Sequence, residues 1–244
     1  AAMIAGVPQE ATAWGLNQVC GSGLQAVVFG AKTVMLGDAD VVVAGGMESM
    51  SNVPYYLRDA RTGYRMGDGK LIDGMIADGL WDPYGNFHMG EAGEKCSKEY
   101  SLSREAQDEF ARESYRRALS AQKEGLFEAE IAAVEIAQKK GDPLKVSADE
   151  EPGKGDPSKF DKLRPAFAKD GTITAANASS INDGASALVL ASEKAVKEQN
   201  LTPIARIVGY GGAAQAPDWF TTAPSKAIDA TLTKLGMKKE QIDL

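Results

Sequence analysis

One of the two cysteines stands between a short extended segment and a periodic segment, in the sequence NQVCGSGLQAVVFGAKTVML. After Cys20, apolar residues recur at the i, i+3, i+4, i+7 spacing from Leu24 to Met35, which predicts a helix that ends at Leu36. Cys20 then lies at a helix N-terminus, where unpaired N–H groups and peptide dipoles create a positive potential. This potential favours the thiolate, the nucleophilic form of cysteine.

The surroundings of Cys20 fit two interpretations. Gly21 and Gly23 have no Cβ, so a substrate could come close to the backbone beside a reactive cysteine. A lone free cysteine is also commonly a small buried apolar residue. Spacing and glycines favour the two interpretations about equally.

The remaining groups that could do chemistry are less informative. His88 is the only histidine, and an isolated histidine without partners at ligand spacing is typical of a hydrogen-bonded structural residue. Cys96 follows it by about two helical turns, and this spacing gives little support for a metal site. The two cysteines form no disulfide framework.

Composition limits the classes of protein that fit. The 244 residues are 43% apolar, enough for one large domain or two smaller ones. The net charge of −7 argues against partners such as nucleic acid or an anionic membrane. No apolar run reaches the roughly 18 residues that span a bilayer, and the N-terminus has no signal-peptide pattern. We expect a cytoplasmic protein, with an organelle matrix left open.

Two segments resemble the nucleophile region of the thiolase family, most closely its short-chain acetyl-CoA acetyltransferase branch. They are residues 17–27 (NQVCGSGLQAV) and residues 41–55 (VVVAGGMESMSNVPY). The resemblance implies that Cys20 carries an acyl group as a thioester. It implies Claisen condensation of two acetyl-CoA molecules to acetoacetyl-CoA and coenzyme A, or the reverse thiolysis.

Further matches to the thiolases imply a coenzyme A site. The motifs are DGL at residues 78–80, HMG at 88–90, KLRPAF at 162–167, and TITAANAS at 172–179. We expect coenzyme A thioesters as substrates and no tightly bound cofactor. The residues that the resemblance assigns to coenzyme A are Leu80, His88, Met89, Lys159, Leu163, Phe167, Ala175 and Ser179.

Two other family properties carry over as expectations. Some thiolases hold a potassium ion, for which the matching positions are Tyr115, Ala175, Ala176 and Ala178, although a tyrosine in a helix stripe is usually core. The glycine-rich excursion at residues 55–74 resembles one that pairs between subunits, which implies a dimer or a dimer of dimers.

The order of elements predicts an α/β protein. Apolar runs predict strands at residues 13–19, 41–44, 172–175, 185–191 and 203–214, and strand, helix, strand implies a right-handed crossover between parallel strands. Ser103 is predicted as an N-cap, with Glu105 and Asp108 complementing the helix dipole.

The resemblance implies the layered αβαβα thiolase fold with an inserted loop domain. Residues 1–51 and 181–202 would form part of the N-terminal domain. Residues 52–180 would be the inserted domain with the coenzyme A site, and residues 203–244 the start of the C-terminal domain. The chain is expected to be an internal portion of a longer protein.

The sequence is also compatible with functions other than acetyl transfer. The family's base histidine, its water-holding asparagine and its second cysteine belong to segments expected after Leu244, so the chain alone is expected to be inactive. The alternatives are a longer-chain 3-ketoacyl-CoA thiolase, a decarboxylating condensing enzyme, and a non-catalytic thiolase-like protein that binds coenzyme A.

Overall fold

The computed structural model describes residues 1–243. The described chain contains both helices and strands, with shorter helical turns between some of them. The 3₁₀ turns are Met50–Asn52, Pro157–Lys162, Pro217–Thr222 and Lys239–Gln241, and Ile76–Leu80 is a π-helical turn. The α-helices are α1 (Ser22–Leu36), α2 (Met89–Glu99), α3 (Arg104–Lys123), α4 (Glu151–Lys154), α5 (Glu193–Glu198) and α6 (Ala223–Leu235).

The strands of residues 1–243 pair antiparallel, two at a time. The pairs are β1 with β8, β2 with β3, β4 with β5, and β6 with β7. The strands are β1 (Val41–Ser49), β2 (Tyr55–Tyr56), β3 (Ile72–Asp73), β4 (Trp81–Asp82), β5 (Phe87–His88), β6 (Val134–Ile136), β7 (Leu144–Val146) and β8 (Asp183–Ala191).

The longest ladder joins β1 to β8, from Val41 opposite Ala191 to Ser49 opposite Asp183. The two strands approach closely at Gly45. A Cβ added to this residue would lie 2.1 Å from the carbonyl oxygen of Ser186. The carboxylate of Asp183 accepts hydrogen bonds from the hydroxyl and backbone N–H of Ser51. These bonds hold the pKa of Asp183 below its ordinary value.

Helix α1 packs on this ladder through small residues. Gly30 and Ala31 are its buried positions, and a Cβ added to Gly30 would meet the side chains of Leu190 and Val42 at 2.9 and 3.2 Å. Gly37 ends the helix with φ of 79°, the left-handed conformation that suits glycine. The predicted helix and its stop are thus confirmed.

Several predicted strands are wrong. Within the described residues, positions 13–19, 172–175 and 203–214 form no strand, although Gln18 and Cys20 make an isolated bridge. The predicted right-handed parallel crossover is also wrong, since β1 pairs antiparallel with β8. An extended apolar segment becomes a strand only when a neighbouring strand supplies its hydrogen bonds.

The expectation about long apolar segments needs a correction. The window Val19–Leu36 has the length and mean hydropathy, 1.4, of a membrane-spanning helix. One such helix is weak support for a membrane span, because a core helix can meet the same criterion. Helix α1 packs on β1 and β8 at Gly30, and 11% of the window is buried.

The chain divides into two compact units. One contains residues 1–79, 181–213 and 225–244, and the other contains residues 80–180 and 214–224. We call them the cysteine unit and the α2–α3 unit. The three-part domain division from the sequence stays a prediction.

Candidate acyl-transfer site

Cys20 is exposed and follows a residue with an unusual backbone. Val19 has φ of +49°, a left-handed conformation that a β-branched residue seldom adopts. Helix α1 starts two residues after the cysteine, at Ser22, with Gly21 as its N-cap. The predicted position of Cys20 beside the positive end of a helix is confirmed.

Local hydrogen bonds hold this turn. The side-chain oxygen of Asn17 accepts from the backbone N–H of Val19 at 2.8 Å. The hydroxyl of Ser22 accepts from the N–H of Gln18 at 2.8 Å and donates to the carbonyl oxygen of Val19 at 2.7 Å. Backbone strain of this kind costs about 1–3 kcal/mol and persists where surrounding contacts fix it.

Two glycines let the start of α1 lie directly on β1. A Cβ added to Gly46 would be 3.0 Å from the Cα of Gly23, and one added to Gly23 would be 3.5 Å from the Cα of Gly46. Gly23 therefore allows the start of the helix to pack on β1. The sequence suggested a different role for it, which was access of the substrate to the backbone. This contact fixes the helix end next to Cys20.

His88, in the α2–α3 unit, is the N-cap of α2. Its Nδ1 accepts from the N–H of Gly90 at 3.0 Å, and Glu91 Oε1 accepts from the N–H of His88 at 3.0 Å. These reciprocal bonds form a capping box. Because Nδ1 accepts a hydrogen bond, the neutral ring carries its proton on Nε2, which is left as a donor.

His88 is also stacked on Phe167, another residue assigned to coenzyme A. Their ring centroids are 4.9 Å apart, with an angle of 23° between the planes. A Cβ added to Gly90 would lie 2.3 Å from Cγ of Phe167. The HMG motif thus pairs a capping histidine with a glycine that admits the aromatic ring.

The alanine loop at residues 174–179 contains buried, half-buried and exposed positions. Ala175 and Ser179 are exposed, whereas Ala176 is 7% exposed and Thr174 is fully buried. The hydroxyl of Thr174 accepts from the N–H of Ala176 at 3.2 Å, and its carbonyl oxygen accepts from the N–H of Ala178 at 2.9 Å. The two residues assigned to coenzyme A are therefore the accessible ones.

Leu163 and Tyr115 pack against one apolar cluster, which is formed by Ala111, Phe160 and Ala176. The rings of Tyr115 and Phe160 meet edge to face at 5.2 Å. Tyr115 is therefore a packing residue, as its place in a helix stripe suggested. The cluster also brings it beside Ala176 of the alanine loop.

Leu80, Met89 and Lys159 complete the predicted set. Leu80 and Met89 are half-buried. Lys159 is 70% exposed at its side chain and pairs with Asp156 at 2.8 Å. The hydrogen bond from Lys159 lowers the pKa of Asp156 to about 2, and the same bond raises the pKa of Lys159. Lys159 is thus a surface cation already engaged with a carboxylate.

Sequence patterns did not predict four polar residues that hold the segments assigned to coenzyme A. Glu94, Arg104 and Asn177 bond to the backbone of residues 160–174, and Asp108 pairs with the side chains of Arg104 and Asn177. The only sequence signal was the i, i+4 spacing of Arg104 and Asp108, which is equally typical of a solvated helix face. Among residues 1–243, no cluster of three or more His, Cys, Asp or Glu residues could hold a metal ion.

Comparison with known proteins defines the class. Residues 1–194 match the model of the family described as thiolase, N-terminal domain. The structure superimposes on that of Acat5 thiolase from Ascaris suum, solved in complex with coenzyme A, with a TM-score of 0.93 and 40% identity over 99% of this chain and 62% of that one. The chain belongs to the thiolase family, and the predicted fold class is confirmed.

Curated relatives with high identity share one name. The chain is 48% identical over 243 residues to an acetyl-CoA acetyltransferase of Schizosaccharomyces pombe, and 47% identical over 245 residues to one of Cupriavidus necator. It is also 47% identical over 243 residues to the cytosolic acetyl-CoA acetyltransferase ERG10 of Gibberella zeae. These alignments cover 99%, 100% and 99% of this chain, and 62%, 62% and 61% of the relatives' lengths.

His88 should have separable structural and binding roles. In His88→Ala the helix loses its cap, and we expect stability to fall by about 0.5–2 kcal/mol. In His88→Asn the cap is retained, so stability should stay near that of the unaltered protein, while the stack on Phe167 and the Nε2 donor are lost. Chemical denaturation and calorimetric titration with coenzyme A measure the two effects. Full coenzyme A affinity in His88→Asn would contradict the binding role.

Proposed function

We propose that the complete protein is an acetyl-CoA C-acetyltransferase. The observation that carries the proposal is an exposed cysteine on a strained turn beside the start of α1, in a chain whose relatives bear that name. The proposed substrates are acetyl-CoA and acetoacetyl-CoA. Their coenzyme A part would bind in the α2–α3 unit, through the eight residues from Leu80 to Ser179 that the family motifs identify.

The first half-reaction forms an acetyl-enzyme. The thiolate of Cys20 attacks the carbonyl carbon of acetyl-CoA, forming a C–S bond and an oxyanion. Collapse of this intermediate breaks the bond to coenzyme A, which leaves as a thiolate and takes up a proton. A preorganised N–H donor to the oxyanion, for which we propose the backbone of Cys20, typically contributes about 3–4 kcal/mol.

The second half-reaction forms a carbon–carbon bond. A base removes a proton from the methyl group of a second acetyl-CoA, and the resulting carbanion attacks the carbonyl carbon of acetyl-Cys20. Release of the Cys20 thiolate yields acetoacetyl-CoA, and thiolysis is the reverse sequence. His88 uses Nδ1 to cap α2, so we propose that it binds substrate through Nε2 and that the base is another group.

The proposal extends to self-association, location and acyl chain length. Self-association as a dimer or dimer of dimers, and a cytoplasmic location, stay predictions that rest on the family resemblance and on the cytosolic relative. A longer-chain 3-ketoacyl-CoA thiolase and a non-catalytic coenzyme A binder are the competing functions. The relatives' shared name favours short acyl chains.

Acetylation of Cys20 tests the proposed function. We expect incubation of the complete gene product with acetyl-CoA to add one acetyl group to Cys20, detected by mass spectrometry of its peptides. In Cys20→Ala no acetyl group should be added, because the nucleophile is removed. The matched control is Cys96→Ala, which removes the half-buried cysteine of α2 and should leave labelling unchanged. An unlabelled Cys20 in folded protein would contradict the proposal.

The proposal includes a potassium ion at the alanine loop. The phenol of Tyr115 and the carbonyls of Ala175, Ala176 and Ala178 are oxygen donors of the kind that hold potassium, and Tyr115 and Ala176 share one packed cluster. Bound there, the ion would supply positive charge that steadies the alanine loop. We expect the Kd for coenzyme A to be lower in potassium than in sodium chloride by at least about threefold. Tyr115→Phe should remove this difference, and equal affinity in both salts would contradict the ion.

A further inference from the structure

A buried carboxylate on α3 lies at the centre of the polar contacts in the α2–α3 unit. The side chain of Asp108 is 2% exposed, and both of its oxygens are paired. Oδ2 accepts from Nε of Arg104 at 2.7 Å, and Oδ1 accepts from the amide nitrogen of Asn177 at 2.9 Å. A buried charge is tolerated only with such partners, so the three side chains constrain one another.

Asn177 connects Asp108 to the backbone of the alanine loop. Its side-chain oxygen accepts from the N–H of Thr174 at 2.7 Å, and its amide also donates to the carbonyl oxygen of Thr172 at 3.1 Å. The side-chain amide of Asn177 therefore binds the backbone of the segment that leads into Ala175 and Ser179. Backbone groups that would otherwise be unpaired in a half-buried loop are satisfied by this side chain.

Arg104 acts in the same way on the segment that carries Leu163. Its NH2 group donates to the carbonyl oxygens of Phe160 and Leu163 at 2.7 and 3.0 Å. One ion pair thus holds both backbone segments that the family motifs assign to coenzyme A. Hydrogen bonds that involve a charged group are stronger than neutral ones, so this arrangement restricts both segments.

A second carboxylate, that of Glu94 on α2, binds the backbone just before the alanine loop. Glu94 accepts from the N–H groups of Thr172 and Ile173 at 2.9 and 2.8 Å. A Cβ added to Gly171 would lie 2.4 Å from Oε1 of Glu94, so a larger residue at that position would displace this carboxylate. Helix α2 is the helix that His88 caps, and the loop is therefore tied to both α2 and α3.

We propose that Asp108 and Asn177 are positioning residues for coenzyme A, which act through the backbone of residues 160–178 without touching the ligand. This inference rests on the proposed function. Preorganisation of a loop lowers the entropic cost of binding, so loosening it weakens affinity. Chemistry at Cys20, in the other unit, should be unaffected once the substrate is bound.

The test uses the complete gene product and coenzyme A itself as the probe. In Asp108→Asn and Asn177→Ser, we expect the Kd from calorimetric titration to rise by at least about tenfold, since bonds to a buried charge are lost. The rate of Cys20 acetylation at saturating acetyl-CoA should stay within about twofold. The matched control is Glu113→Gln, on the same helix, whose exposed carboxylate pairs with Arg116 and Arg117. Its Kd should not change.

Thermal melting accompanies each titration, because Asp108→Asn removes a buried charge. If a variant does not fold, hydrogen exchange in the unaltered protein decides instead. Saturating coenzyme A should slow exchange of the amides of Thr174, Ala176 and Ala178 and leave the amides around Glu113 unchanged. Folded variants with unaltered Kd, or an alanine loop without protection, would overturn the inference. An unaltered protein that does not bind coenzyme A would overturn the proposed function as well.

Discussion

Asp108 is a charged group in a place where water cannot solvate it, and the α2–α3 unit is arranged around its pairing. Arg104 and Asn177 satisfy its two oxygens and then use their remaining donors and acceptors on backbone atoms of two loops. Removing one partner of such a group typically costs about 3–5 kcal/mol, because the charge is left buried without compensation. The bonds from Arg104 and Asn177 hold in place two segments that form no α-helix or strand of their own.

The cysteine unit obtains its order from backbone proximity. Glycines at positions 23, 30, 45 and 46 let α1, β1 and β8 approach closely. Cys20 follows a residue held in the left-handed region by Asn17 and Ser22. In the cysteine unit, glycines that lack a Cβ determine the packing. In the α2–α3 unit, buried polar side chains determine it. Each unit contributes one component of the proposed chemistry, the nucleophile or the coenzyme A site.

Local features were predictable from the sequence. Helix α1 with its stop at Gly37, α3 with its cap at Ser103, and the strands that begin at Val41 and end at Ala191 follow from periodicity and capping residues. The antiparallel pairing of β1 and β8 did not follow, because their partners are far apart in sequence. Asp108 was expected only to complement a helix dipole, and no local pattern reveals its hydrogen bond with Asn177, which is 69 positions away. The predicted strand at residues 203–214 has apolar residues but no ladder in the described chain.

The proposed function depends on the access of coenzyme A thioesters to Cys20. The most direct measurement is the rate of iodoacetamide alkylation at Cys20 and Cys96 in the complete gene product, with and without saturating coenzyme A, followed by peptide mass spectrometry. We expect coenzyme A to slow alkylation of Cys20 by at least about tenfold, because the site is occupied at saturation, and to leave the rate at Cys96 unchanged. Equal alkylation of Cys20 with and without coenzyme A would contradict the proposed access.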